Sequence, residues 1–225
     1  MIDDPNKALG SADGDDLFFT QLREAVGTPR FSLDIMAPYF IPTDVGVEAL
    51  TELARSGVEI QVLTNSLQAT DETVVHAGYA KWRDELLEHG VRLYELKRGD
   101  DTSPPEKNTV GPYGSASATL HAKTFAVDGE TLVVGSFNAD PRSVNLNTEL
   151  GLVMHCPDLA KKVHNAFPHR VMEYAYQVRL DDDGELYWLE QEGDELIRHQ
   201  QEPGVGFLQR LFLPVLSVMP IEGFL

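Results

Sequence analysis

The sequence predicts an α/β domain, a mixed β-sheet flanked by helices. Three observations carry that expectation. Strand-like apolar runs alternate with helix-period segments through the first hundred residues. An Asp128-Gly129 pair joins two β-rich runs, a strong short hairpin signal. The chain has 225 residues, 42% hydrophobic and 24% charged, which suits one generous domain with a real core, or one domain with an appendage.

The elements follow in order. Residues 1–14 are polar and carry Pro5, Gly10 and Gly14, so they are expected as a linker, an inter-segment connection or a frayed terminus. Residues 17–26 have helical spacing and stop at Gly27, and 31–36 form a strand. Pro38 and Pro42 bracket a rigid loop. Thr43 or Asp44 can cap a helix running to Arg55, closed by Ser56-Gly57. Residues 58–64 make an apolar strand, 74–89 one long amphipathic helix ended by Gly90, and 91–96 another strand. Residues 97–117 are rich in Pro, Gly and Ser and are expected as a functional surface loop. Strands follow at 119–127, 131–137 and 148–155, then a helix over 158–174. The first domain is placed at 15–175. Residues 176–225 are read as a small β-meander followed by an apolar extension, 207–225, interrupted by Arg210, Pro214 and Pro220. No internal repeat is evident.

Composition narrows the function. With 36 acidic against 18 basic residues, the net charge is −18. Nucleic acid is an unfavoured partner, because phosphate tracking needs distributed Lys and Arg. Unspecific attraction to an anionic membrane is disfavoured for the same reason. The lone Cys156 excludes an internal disulfide or a Cys-based zinc cluster. Neither a secretory leader nor an apolar run of membrane-spanning length is visible, so a cytoplasmic or peripheral inner-membrane location is expected.

The chemistry concentrates in one window. Strand alternation puts His121 and Lys123 on one face, and Ser136 and Asn138 on one face of the next strand. A two-residue turn at Asp128-Gly129 pairs Val127 with Glu130, which sets His121 opposite Ser136 and Asn138 opposite Thr119. One more residue in the turn breaks that register. An imidazole, an ammonium, a hydroxyl and a carboxamide together suit a phosphoryl centre. The imidazole attacks phosphorus or moves a proton, and the others hold phosphoryl oxygens. Glu149 is expected to orient the imidazole, with an ordinary strand-edge carboxylate as the plainer reading. The scheme needs no cofactor, and no His/Asp metal-ligand pattern stands out.

The string His121-x-Lys123-x4-Asp128-x6-Gly135-Ser136-x-Asn138 resembles the HKD motif of the phospholipase D superfamily. Asp140-Pro141-Arg142-Ser143 and Asn147-Thr148-Glu149 fit the same family. Ala37-Pro38-Tyr39-Phe40-Ile41-Pro42, Val75-His76-Ala77-Gly78-Tyr79 and the stretch from Leu86 to Tyr94 resemble bacterial cardiolipin synthases, in their C-terminal half. The resemblance covers about residues 15–175.

The resemblance implies a metal-free, two-step phosphodiester exchange on glycerophospholipids through a phosphohistidine. The expected activity is cardiolipin synthase-type phosphatidyl transfer or phospholipase D hydrolysis. His121 resembles the general acid/base, Lys123, Ser136 and Asn138 the phosphate-holding groups, and Glu149 the partner of the histidine. Asp128 and Gly135 are expected to support the motif structurally. His76, on an amphipathic helix, has a simple surface or core role as its default reading, with lining the site, as the resemblance implies, as the alternative. The family uses two HKD motifs, and no second His-x-Lys occurs here. A second HKD half is therefore an expected partner, by homodimerisation or from an N-terminal half. A nuclease of the same superfamily and an inactive half-enzyme are the alternatives. The segment 207–225 is read as a site of peripheral membrane contact or as packing against its own domain or a missing half.

Overall fold

A computed structural model describes residues 1–10, 17–99 and 119–206. The chain enters the sheet through helix α1 (Phe18–Val26) and strand β1 (Ser32–Met36), then α2 (Thr43–Arg55) and β2 (Glu59–Asn65). Helices α3 (Thr73–Ala80) and α4 (Arg83–Glu88) lead to β3 (Arg92–Leu96). The hairpin β4 (Thr124–Val127) and β5 (Thr131–Gly135) is followed by α5 (Pro141–Asn145), β6 (Gly151–His155), α6 (Pro157–Ala166) and the one-turn α7 (Met172–Tyr174). Strands β7 (Ala175–Leu180), β8 (Leu186–Glu192) and β9 (Glu195–His199) close the described chain.

Among the described residues, nine strands join one sheet in the order β6-β5-β4-β1-β2-β3-β7-β8-β9. β1, β2 and β3 are parallel, as helical crossovers require, and the flanking ladders are antiparallel. The expected mixed α/β architecture is therefore present. Residues 175–199 continue the main sheet through the β3–β7 ladder.

Alternation along the central strands sends side chains to two cores. Ile35, Ile60, Val62 and Leu93 pack with Val47, Leu50, Tyr79 and Leu86 of α2 to α4. Met36, Leu63, Tyr94 and Leu96 pack on the opposite face with Phe167, Val171 and Met172. Such two-sided burial explains why β2 reads as a continuous run rather than an alternating one.

Several expectations are corrected. The helix expected over 74–89 is two helices, broken at Lys81-Trp82, where Trp82 N–H bonds back three residues to the Tyr79 carbonyl at 2.9 Å. The break lets α3 bury five consecutive residues, Val75 to Tyr79, while α4 turns Arg83 and Leu86 inward. The helix expected over 158–174 passes through a π-turn, Phe167–Val171, containing Pro168, whose ring nitrogen has no hydrogen to donate. Neither Thr43 nor Asp44 makes a side-chain cap on α2. Residues 1–10, expected as slack, dock on the domain: Ile2 bridges to Leu150, and Asp3 and Lys7 are buried. Most of the loop expected over 97–117 and all of 207–225 lie outside the described residues.

Candidate active site

Five strand ends meet at one end of the sheet. The C-terminal ends of parallel β1 and β2, the start of β4, the end of β5 and the start of β6 all face the same way. In open α/β sheets this carboxyl edge is where ligands bind. His121 and Lys123 precede β4, Ser136 and Asn138 follow β5, and Glu149 precedes β6.

The register differs from the expected one. Val127 pairs with Thr131, so the turn spans Asp128, Gly129 and Glu130, one residue longer than assumed. Both Asp128 and Gly129 have positive φ, at 54° and 62°. The face-sharing argument based on His121 opposite Ser136 therefore fails. Both residues also lie outside the regular ladder, which begins at Thr124 and ends at Gly135. The site is built from departures from the sheet, not from one pleated face.

Gly135 makes the departure possible. It pairs with Gly151, and a Cβ there would sit 2.8 Å from the Gly151 Cα and run into the Leu150 carbonyl. With no side chain in the way, Ser136 N–H reaches the Leu150 carbonyl at 2.9 Å. The Ser136 hydroxyl then donates to the Glu149 carboxylate and accepts from the Leu150 N–H at 3.1 Å. Glu149 is thus held to Ser136 in this structure, and the expected Glu149–imidazole bond is not among its contacts. Its burial, 3% exposed, leaves the hydroxyl as the near partner.

His121 is exposed, and among the described residues its imidazole takes no hydrogen-bond partner. Lys123 is half-buried, with Nζ donating to the His121 carbonyl at 3.2 Å. Burial lowers its pKa, while the nearby Glu149 and Asp140 carboxylates pull it back up. Asn138 is buried. Its N–H donates to Ser143 Oγ at 3.2 Å, and its side-chain carbonyl is unpartnered. Asp140 caps α5, accepting from Ser143 N–H at 2.6 Å, and burial raises its carboxyl pKa. Arg142 holds the next loop by donating to Asn147 Oδ1 at 3.1 Å.

Asp128 stands at the far end of the hairpin. Its carboxylate accepts from the N–H groups of Arg30, Phe31 and Ser32 at 2.9, 2.7 and 3.1 Å. Burial pulls its pKa up, but these three donors and the Arg30 charge outweigh that and hold it below the ordinary carboxylate value. His76 does not line the site. Its Nε2 lies 2.6 Å from Arg83 Nη2 and 2.8 Å from Glu202 Oε1, inside a buried charge cluster. Tyr39 donates to Asp71 at 3.0 Å, and burial, then that carboxylate, pushes its pKa up to about 12.

Two supports were missed in the sequence. Asp3 accepts from Glu149 N–H at 3.0 Å, from Phe18 N–H at 2.6 Å and from Lys7 Nζ at 2.7 Å, while Lys7 also donates to the Ser143 carbonyl at 2.7 Å. Asp3 N–H in turn donates to the Glu149 carbonyl at 2.8 Å. The four-residue spacing of Asp3 and Lys7 was the available signal. The other support is Asn65, an amide ending an apolar strand at the carboxyl edge.

The profile described as cardiolipin synthase, PLD-like domain, matches residues 22–171. The chain belongs to that family. Cardiolipin synthase C of Escherichia coli (strain K12) is 42% identical over 225 residues, 100% of this chain and 47% of that protein. Cardiolipin synthase A of Serratia proteamaculans (strain 568) is 31% identical over 147 residues, 65% of this chain and 26% of that one. The chain thus spans about half, or less, of the curated relatives it matches. Among solved structures, Nuc from Salmonella typhimurium, a phospholipase D family member, superposes with a TM-score of 0.50 at 20% identity. It covers 72% of this chain and 90% of its own, a likeness of fold. This PLD-like domain has, among its described residues, no helix long and apolar enough to cross a membrane.

Proposed function

We propose that this PLD-like domain supplies one histidine–lysine set to a phosphodiester exchange on glycerophospholipids, of the phosphatidyl-transfer type named by its cardiolipin synthase relatives. The convergence of His121, Lys123, Ser136 and Asn138 at the carboxyl edge of the sheet supports it most directly. A histidine from a second HKD half attacks phosphorus and forms a phosphohistidine. His121, as imidazolium, gives its proton to the departing alkoxide. The neutral imidazole then takes the proton of an acceptor alcohol, or of water, as that oxygen attacks phosphorus and frees the other histidine. Lys123 and the Asn138 amide hold the phosphoryl oxygens, and the Ser136 hydroxyl joins them by turning its one hydrogen from Glu149 to the phosphate. An imidazole without a hydrogen-bond partner among the described residues suits this role, since none of them competes for its proton.

The second half comes from a chain segment ahead of this domain or from another copy. The share of the relatives' length covered here supports that requirement. The proposed location is cytoplasmic or peripheral on the inner membrane, where apolar contact substitutes for charge attraction because of the −18 balance. The same balance weighs against a nuclease role.

The test pairs the chain with phosphatidylglycerol vesicles and, separately, with supercoiled plasmid, with and without a second HKD half. Lipid turnover that requires the second half and disappears in His121→Ala is expected. Plasmid nicking without lipid turnover overturns the lipid reading, and turnover by a lone monomer overturns the two-half requirement.

A further inference from the structure

We infer that Asn65 is a positioning residue for His121, working through the backbone of Leu120. The inference rests on the proposed role of His121. Asn65 ends β2 and is 3% exposed. Its Oδ1 accepts from Leu120 N–H at 2.9 Å, and its Nδ2 donates to the Leu120 carbonyl at 3.3 Å. A carboxamide offers a donor and an acceptor side by side, as a peptide group does. The Asn65 side chain therefore stands where a neighbouring strand would stand, pairing both polar groups of Leu120.

The surroundings fix the same point from other directions. Asn65 Nδ2 also lies 3.4 Å from the Pro38 carbonyl, which accepts from Thr64 Oγ1 at 3.3 Å. One amide thus joins the loop after β1, the end of β2 and the chain leading into β4. The Leu120 side chain, 2% exposed, plugs the core formed by Met36, Leu63, Tyr94 and Phe167. His121 comes next, and its own carbonyl accepts from Lys123 Nζ. The histidine is thereby held by its backbone on both sides while its ring takes no hydrogen-bond partner among the described residues. Side-chain pairing also explains why β4 starts at Thr124 rather than near residue 119: Leu120 has its backbone bonds already and does not need a ladder.

Asparagine suits this post and its close relatives do not. Aspartate accepts from Leu120 N–H but has no hydrogen for the two carbonyls, and it carries a charge. Alanine leaves the Leu120 groups without this partner in a buried setting. In either case the histidine loses its fixed starting point, and a displacement of about 1 Å at a reacting group costs about 10²-fold in rate.

The experiment uses the full chain together with its second HKD half, with phosphatidylglycerol vesicles as probe. Asn65→Ala and Asn65→Asp are compared with Gln61→Ala, a buried amide on β2 that bonds Asp34 rather than the site. For the Asn65 variants kcat falls about 10- to 10²-fold with KM within about three-fold, while Gln61→Ala keeps both. In parallel, the chain labelled at histidine Cε1 is followed by NMR, with the His121 signal assigned by His121→Ala. That signal moves in Asn65→Ala while those of His76 and His164 stay. An equal loss of kcat in Gln61→Ala, or an unmoved His121 signal, overturns the inference. If His121→Ala itself keeps full turnover, the proposed function fails, and the NMR arm alone decides whether Asn65 places His121.

Discussion

Two clusters of charged and polar side chains lie in this sheet, and they are built in opposite ways. In the sealed one, Arg83 meets Glu95 Oε1 at 2.8 Å and Glu202 at 3.0 and 3.2 Å. Tyr79 and Trp188 donate to Glu95 at 3.1 and 2.9 Å, and both rings flank the guanidinium. All are buried, and the carboxylates are spent on neighbours. Burial alone would raise the Glu202 pKa, but Arg83 and His76 hold it far below the ordinary range. In the open cluster the backbone takes the restraint. Asn65 grips Leu120, Asp3 grips Glu149, and Lys123 grips the His121 carbonyl. Among the described residues the His121 ring is left without a partner, while Ser136 and Glu149 hold each other. A cluster that satisfies itself stabilises; a cluster held from behind can react.

That contrast can be broken experimentally. The largest effect belongs to His121→Ala, which should lower phosphodiester turnover of the two-half protein by about 10²–10⁴-fold with little change in melting temperature. Arg83→Met should do the reverse. It leaves Glu95 and Glu202 buried without their counter-ion and should cost about 3–5 kcal/mol in urea unfolding. Because the Glu202 pKa is lowered in the fold, this stabilisation is complete above its ordinary value of 4.5 and is lost as pH falls below it.

Asp128→Asn keeps a residue that tolerates positive φ and an oxygen for the three N–H groups, but removes the charge. A loss of about 1 kcal/mol is expected, after allowing for screening at this solvent-facing turn. It should be seen above the ordinary value of 3.8 and vanish as pH drops through the lowered folded pKa. The smallest effect is on pH dependence. With its pKa lowered by burial, Lys123 gives up its proton below the ordinary 10.5, so the alkaline limb of the rate profile should fall there and Lys123→Arg should move it upward.

The sealed and open clusters also differ in how legible they were. The alternation of elements, the parallel centre and the HKD residues could be read from apolar periodicity and fixed spacing. The hairpin register could not, since Asp128-Gly129 admits both a two-residue and a three-residue turn and only the packed ladder decides. The late start of β4 depends on Asn65, 55 positions away from Leu120. The role of His76 depends on Glu202, which is brought in from beyond β9. Local pattern reports which face a residue prefers. It carries no record of a polar group arriving from a distant segment, and the supports of the site are of that kind. Residues 1–10 differ from their sequence expectation for the same reason: their polarity suggests solvent, whereas Asp3 and Lys7 satisfy each other in the interior.

The docking of the first three residues has a consequence for handling the protein. β6 is an outer strand of the sheet, and Leu150 just before it and Leu152 within it are 59% and 64% exposed. Its upper backbone is occupied because Gly151 N–H donates to the Met1 carbonyl at 3.0 Å and Asp3 N–H to the Glu149 carbonyl at 2.8 Å. A chain trimmed past Asp3 would bare those groups next to greasy side chains, the combination that invites strand-to-strand self-association. Solubility, and not only the poise of Glu149, is then tied to a few residues that look dispensable.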